Sequence, residues 1–286
     1  MTMTSKFGKT LAIAAVLGAA VVTVNATPAK AAETQSYESN AVVNFIENTI
    51  PTKPVDPENP DPGKPVGPTD PTNPTNPGGP NPGTQGPLSI DFASSLQFGT
   101  SKITTTDEVY SAYAQEVDID GTATFRPQYV QVTDNRGTDA GWNLTVNQEK
   151  QLTSAAGKEL EGAVITLGDA NVKTVVGSTI KAPSTAPKSV ELVPGQDVPV
   201  MSAAQGEGAG LWVDHFGNSA STIVDGTDLK PGEEGNDPTE FAVKRNTAVT
   251  LAIPGKANKS AAEYRSVLKW TLSEVADNGS GEEGED

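Results

Sequence analysis

Gly141-Trp142-Asn143-Leu144-Thr145-Val146 and, far downstream, Leu268-Lys269-Trp270-Thr271-Leu272 decide the reading of this chain. In an extended strand alternate side chains share a face, so Trp142, Leu144 and Val146 make one apolar row and send Asn143 and Thr145 the other way. Leu268, Trp270 and Leu272 repeat that row, with Lys269 and Thr271 opposite. Both stretches therefore read as half-buried β-strands. The indoles have two uses: each can fill a core, burying roughly 150–250 Å², or stack on the C–H faces of sugar rings. Alternation with leucine favours the core. An arrangement between the two, with both triplets side by side in one partly exposed platform, also fits the shared pattern.

These residues closely resemble the two signatures of the WxL domain, found on cell-surface proteins of low-GC Gram-positive bacteria. The second signature of that family reads roughly Tyr-x-x-x-Leu-x-Trp-Thr-Leu, and Tyr264, Leu268, Trp270, Thr271 and Leu272 match it in register. Leu88 to Phe92, Leu96 to Gly99 and Tyr110 to Gln115 resemble the family's lead-in. Val130 to Leu144, with Asp134, Arg136 and Gly137, resembles its approach to the first Trp. The resemblance implies non-covalent attachment to peptidoglycan, with other WxL-system surface proteins or host matrix proteins as further partners. It makes Trp142, Asn143, Leu144, Tyr264, Leu268, Trp270, Thr271 and Leu272 the candidate wall- or partner-binding residues.

Lys6 and Lys9, the apolar run Leu11 to Val24 and Ala29-Lys30-Ala31 have the form of a secretory signal peptide over residues 1–31. That run falls short of the ~20 residues a bilayer span needs, and no other stretch is apolar enough to cross. The chain has no cysteine, which leaves no thiol catalysis, no cysteine metal site and no lipoprotein anchor. Its formal charge is −16, and losing Lys6, Lys9 and Lys30 with the signal peptide makes the mature form more acidic. Nucleic acid is excluded as a partner, because binding it requires basic surface. Net Coulomb attraction to anionic teichoic acids is excluded by the same balance. The C-terminus is acidic and hydrophilic, without a sortase motif, so retention at the surface is expected to be non-covalent or absent.

From Pro51 to Pro87 the text is low-complexity, with prolines recurring every third residue over long stretches. Three residues per turn is the period of polyproline II, so 51–87 is expected to be a stiff hydrated spacer reaching on the order of 100 Å. Before it, Tyr37 to Ile50 is apolar on both faces and reads as a buried strand, one that pairs with the body of the domain because so short a strand cannot stand alone. Residues 88–276 then alternate short strand-like runs with turn dipeptides such as Asp120-Gly121, Pro194-Gly195, Asp225-Gly226 and Pro254-Gly255. Ala155 to Glu161 and Ser260 to Arg265 read as short helical turns, and 277–286 as a disordered acidic tail. The fold class is all-β: an antiparallel, sandwich-like single domain with a long proline-rich excursion.

Catalytic chemistry is poorly supplied. The single histidine, His215, sits beside Asp214 in Gly210-Leu211-Trp212-Val213-Asp214-His215-Phe216-Gly217. Neighbouring strand residues point to opposite faces, so the pair reads as a loop residue beside a buried Trp212 rather than a dyad. Without a second histidine, zinc sites and histidine-activated nucleophiles are not available. The acids cluster in turns and tails, with nothing pinning two carboxylates to one cleft. No cofactor, catalytic residue or metal is assigned; the one residual thought is a loose calcium site on Asp118 and Asp120, since the EF-hand spacing fails at Tyr129. The function expected is that of an exported, non-enzymatic wall-binding protein, and the alternative is an adhesin or surface-complex subunit.

Overall fold

The computed structural model describes residues 35–70, 72, 79–232 and 237–275; the expected signal peptide and acidic tail lie outside them. Every strand belongs to the unit Phe45–Asp286. In chain order they are β1 (Gly67–Pro68), β2 (Leu88–Ala93), β3 (Glu108–Tyr113), β4 (Gln115–Ile119), β5 (Thr122–Arg126), β6 (Gln128–Asp134), β7 (Trp142–Gln148), β8 (Thr153–Ser154) and β9 (Val164–Gly168). They continue as β10 (Ala170–Lys173), β11 (Ser189–Leu192), β12 (Asp197–Ala203), β13 (Gly210–Phe216), β14 (Ile223–Lys230), β15 (Thr239–Ile253), β16 (Tyr264–Arg265) and β17 (Leu268–Glu274). All pairings are antiparallel, and no helix occurs among the described residues. The two stretches expected as helical turns, Ala155 to Glu161 and Ser260 to Arg265, form turns, bends and bridges instead.

Three sheets enclose the main core: β10-β13-β6-β2, β11-β9-β15-β14 with β3 also on β15, and β12-β7-β17. Val130 and Val132 of β6, Trp142, Leu144 and Val146 of β7, Ile165 and Leu167 of β9, Trp212 of β13 and Val249 and Leu251 of β15 meet there. β15 runs unbroken from Thr239 to Ile253. Its register shifts between Asn246 and Thr250, so its first half pairs with β14 and its second with β9. The polar run Lys244-Arg245-Asn246 that hides this continuity is structural: buried Asn246 donates through Nδ2 to Gln128 Oε1 (2.6 Å) and Phe216 O (2.8 Å), tying one sheet to another.

β6 is buried at every position, which requires cover on both faces. Val130 and Val132 face the main core. On the other face Tyr129 joins Phe92, Leu211, Val213 and Val55, and Val55 belongs to the proline-rich segment. That segment is therefore not a free spacer over its first half. Val55, Pro57, Pro60, Val66, Pro68 and Asp70 are buried, and Gly67–Pro68 pairs with β4. Gln131 holds it in place: Oε1 accepts from the Val55 amide (2.9 Å), and Nε2 donates to Lys53 O (3.1 Å) and to Asp91 Oδ2 (2.9 Å). Arg126 adds a two-pronged pair to Asp56. The three-residue proline period here brings Pro57 and Pro60 onto the protein rather than into solvent.

Tyr37 to Ile50 does not form the expected strand. Residues 35–49 carry no secondary structure, and Tyr37, Val42, Val43, Phe45, Ile46 and Ile50 are exposed. The apolar cover predicted for that segment comes instead from Val55.

Asp120-Gly121 closes the β4–β5 hairpin with Ile119 opposite Thr122. Both turn residues have positive φ, 52° and 80°, as a two-residue type I′ turn requires. Asp118 Oδ1 accepts the Gly121 amide at 2.6 Å. The loose calcium pair is thus a turn and its brace, and no group of three or more metal-ligating side chains assembles among the described residues. Asp225-Gly226, expected as a turn, lies inside β14 opposite Lys244 and Val243.

Candidate functional site

The two Trp-x-Leu triplets lie on adjacent strands, with β7 in the middle of its sheet and β17 at the edge. Leu272 faces Leu144, Trp270 faces Val146 and Leu268 faces Gln148, so both apolar rows share one face. Asn143 and Thr271 point to the other face, where they pair with Ser273 and Thr145.

The two indoles have different environments. Trp142 and Leu144 are fully buried, core residues of their sheet. Trp142 Nε1 donates to Gly208 O at 2.9 Å. A side chain at Gly208 would put a Cβ 2.8 Å from that nitrogen, and its φ of +72° is one that L residues rarely adopt. Next to it, Glu207 accepts from the Ser184 and Ala204 amides (3.0 and 3.1 Å) and pairs with Lys181 (2.8 Å). Those bonds hold its carboxyl down to about 2, so the loop under Trp142 stays charge-locked at ordinary pH.

Trp270, Leu268 and Tyr264 are half-buried and line an open groove of about 1,750 Å³. Its floor is apolar, with Leu152, Leu160, Ile165 and Leu251 beneath the aromatic side chains, and Tyr110 and Phe98 on the far wall. Tyr264 is fixed by pairing with Ser154 and by its hydroxyl, which accepts the Ser260 amide at 2.9 Å. Lys259 donates to Pro254 O (3.0 Å), Thr104 O and Gly255 O (both 3.3 Å), pinning the rim. At the far end, buried Asp228 accepts the Thr100 amide (2.8 Å) and the Tyr113 hydroxyl. Arg245 stacks 4.6 Å over the Tyr113 ring and donates to Phe98 O and Ser111 O. The carboxylates along the groove are both engaged, Asp228 as described and Glu263 in an ion pair with Arg265 at 2.6 Å.

The sequence reading thus found the near wall of the groove, Tyr264, Leu268 and Trp270, and missed its far wall. Tyr110, Phe98 and Asp228 stand in stretches without strict alternation. A second clamp was half-seen: Arg136 donates to Asp134 (2.7 and 2.9 Å) and to Gly141 O (2.8 Å), and pairs with Glu274 at 3.1 Å, tying the end of β17 to the start of β7. His215 lies within β13 rather than in a loop, buried, with Asp214 on the opposite face.

No helix among the described residues is long and apolar enough to cross a membrane. No curated protein and no solved structure matches this chain. The family model for the WxL domain, described as surface cell wall-binding, matches residues 32–275, nearly the whole span in which the two Trp-x-Leu strands, their shared face and the groove are built. The chain belongs to the WxL domain family of cell wall-binding surface proteins.

Proposed function

We propose that this protein is exported by a Gram-positive cell and held on peptidoglycan without covalent linkage, and that it acts as a binding module rather than an enzyme. The observation that carries this reading is the division of labour between the triplets. Trp142 and Leu144 of the first are sealed in the core, whereas Trp270 of the second lines an open groove. An apolar floor with aromatic walls and pinned carbonyls suits glycan strands, which present flat C–H faces and hydroxyl edges. The carboxylates of the groove are engaged in hydrogen bonds and ion pairs, which leaves no pair poised as acid and base for glycoside hydrolysis.

Charge supports a non-Coulombic mode of attachment. With a net charge of −16, the protein gains nothing from anionic wall polymers as a whole, so packing and hydrogen bonds carry affinity. The test is a pull-down of the mature protein with purified, teichoic-acid-stripped peptidoglycan. Sedimentation with the polymer, without release of soluble fragments, supports the reading. Recovery in the supernatant, with capture only by a matrix protein such as a collagen, contradicts it.

A further inference from the structure

β17 ends its sheet, and its outer edge is bare. Glu149 N donates to Val267 O (3.0 Å) and Val275 N to Gly141 O (3.5 Å), and an antiparallel ladder bonds alternate pairs. In the register of β17 on β7, Lys269, Thr271 and Ser273 therefore bond β7, while Leu268, Trp270 and Leu272 turn their backbone N–H and C=O groups outward. Among the described residues nothing hydrogen-bonds those outward groups. Other edges are covered. Thr185 and Ser202 exchange two backbone bonds outside β12 (3.1 and 2.8 Å), and Thr84 N donates to Ile90 O outside β2 (2.8 Å). β17 carries neither a proline nor a bulge to blunt its edge.

Tyr37 to Ile50 supplies what that edge lacks. Tyr37, Val42, Val43, Phe45, Ile46 and Ile50 are between 71% and 94% exposed. Extended, the segment alternates Val43 and Phe45 with Val42, Asn44 and Ile46, and it is long enough to cover all seven residues of β17. Charge also matches. On a chain of net charge −16, the groove beside β17 is lined by Lys102, Lys230, Lys259 and Arg265 against Asp228 and Glu263, whereas the segment carries Glu38 and Glu47 and no base.

We propose that Tyr37 to Ile50 of one copy adds as a further strand to the outer edge of β17 in a second copy of this chain. Backbone bonds to Leu268, Trp270 and Leu272 supply affinity, and alternate side chains over the basic rim of the groove supply selectivity. The chain's own edge is not the acceptor, since Phe45, Ile46 and Ile50 stay exposed in the folded chain. Each copy has one such segment and one such edge, so the contact is heterologous: reciprocal exchange closes a dimer, and one-way addition builds a linear array. This goes beyond wall attachment and does not depend on it.

The test is sedimentation velocity of the mature protein without peptidoglycan, so that wall binding cannot decide the outcome. Phe45→Asp spoils the segment. Leu272→Pro removes an outward N–H and leaves the bonds to β7 in place. The parent is expected to self-associate with a Kd of roughly 10–500 μM, in keeping with interfaces below about 1,200 Å², and each variant alone to associate about tenfold more weakly or less. An equimolar mixture of the two variants should recover a 1:1 dimer that grows no further, since one supplies the intact segment and the other the intact edge. Should Leu272→Pro fail to fold, an excess of synthetic peptide 37–50 blocks the edge instead: it should dissociate the parent, and the same peptide with Phe45→Asp should not. A parent that stays monomeric to about 1 mM leaves the edge to its own chain or to a different protein, and overturns the proposal. Self-association unaltered by Phe45→Asp, a mixture that forms no dimer, or a parent indifferent to both peptides overturns it equally.

Discussion

Trp142 and Trp270 share one face of one sheet yet stand four positions apart in register: Trp270 pairs with Val146, and Trp142 pairs with Glu274. At ~3.4 Å per residue that offset is about 14 Å along the strands. The two signatures are therefore one continuous surface with a buried end and an open end.

Stability and binding should separate along that surface. Trp142→Ala empties a fully buried site and orphans Gly208 O, with an expected cost of about 3–5 kcal/mol. Trp270→Ala, at a half-buried edge position, should cost well under half of that. In a double-mutant cycle followed by urea unfolding, the coupling is expected within about 0.5 kcal/mol of zero, as for sites without a shared partner. A coupling of several kcal/mol would show that the indoles act as one unit.

The proline-rich segment is predicted to be structural through Val55 and Gln131. Gln131→Ala strands the buried Val55 amide and thins the support of Asp91, for an expected loss of about 1–3 kcal/mol. Removal of residues 32–50, whose described side chains are exposed, should change the denaturant midpoint by less than the equivalent of ~0.5 kcal/mol. Equal losses from both changes would contradict this division.

Much of this was legible in the sequence, and the failures have physical causes. Strict alternation located β7 and β17, because a period of two survives wherever one face is buried. β12 was missed because it carries Pro199, tolerated at a register shift between Pro199 and Met201. β14 was missed because Asp225-Gly226 looks like a turn, although Gly226 is there to let the Arg245 side chain pass: a Cβ would lie 2.8 Å from its Cγ. The exposed Tyr37 to Ile50 shows the converse, that an apolar run alone does not create a partner strand. Val55 and Val66 were the readable hint, since they are the aliphatic residues between Pro51 and Asp70 in an otherwise polar segment.

Asp214 sets a pH dependence. It is fully buried with neither carboxylate oxygen hydrogen-bonded, and burial, only partly offset by the Lys188 charge, pushes it up to about 7 from 3.8. An acid whose folded pKa is raised leaves stability intact below the unfolded pKa and erodes it as pH climbs through the interval between the two values. The penalty is absent near pH 4 and levels off above about pH 7, at roughly 4 kcal/mol from a shift of about three units. Asp214→Asn should therefore raise the thermal midpoint at pH 7.5 and have little effect at pH 4. A gain independent of pH would contradict the assignment.

Attachment to the wall should resist salt. Surface charge interactions are screened within ~3 Å at 1 M salt, so a packed, hydrogen-bonded contact should survive about 1 M sodium chloride and yield to a denaturant. Release by a calcium chelator alone, with salt harmless, would instead make cation bridging through carboxylates the mechanism.

The central claim, that the open end of the Trp-x-Leu surface is what grips the wall, is tested most directly by the affinity of Trp270→Ala for teichoic-acid-stripped peptidoglycan, measured beside Thr271→Ala, whose side chain points to the opposite face. Trp270→Ala is expected to stay folded and lose about 2 kcal/mol or more of binding, about thirtyfold, while Thr271→Ala binds as the parent does. A folded Trp270→Ala protein that binds undiminished, or a Thr271→Ala protein that loses binding in its place, would contradict it.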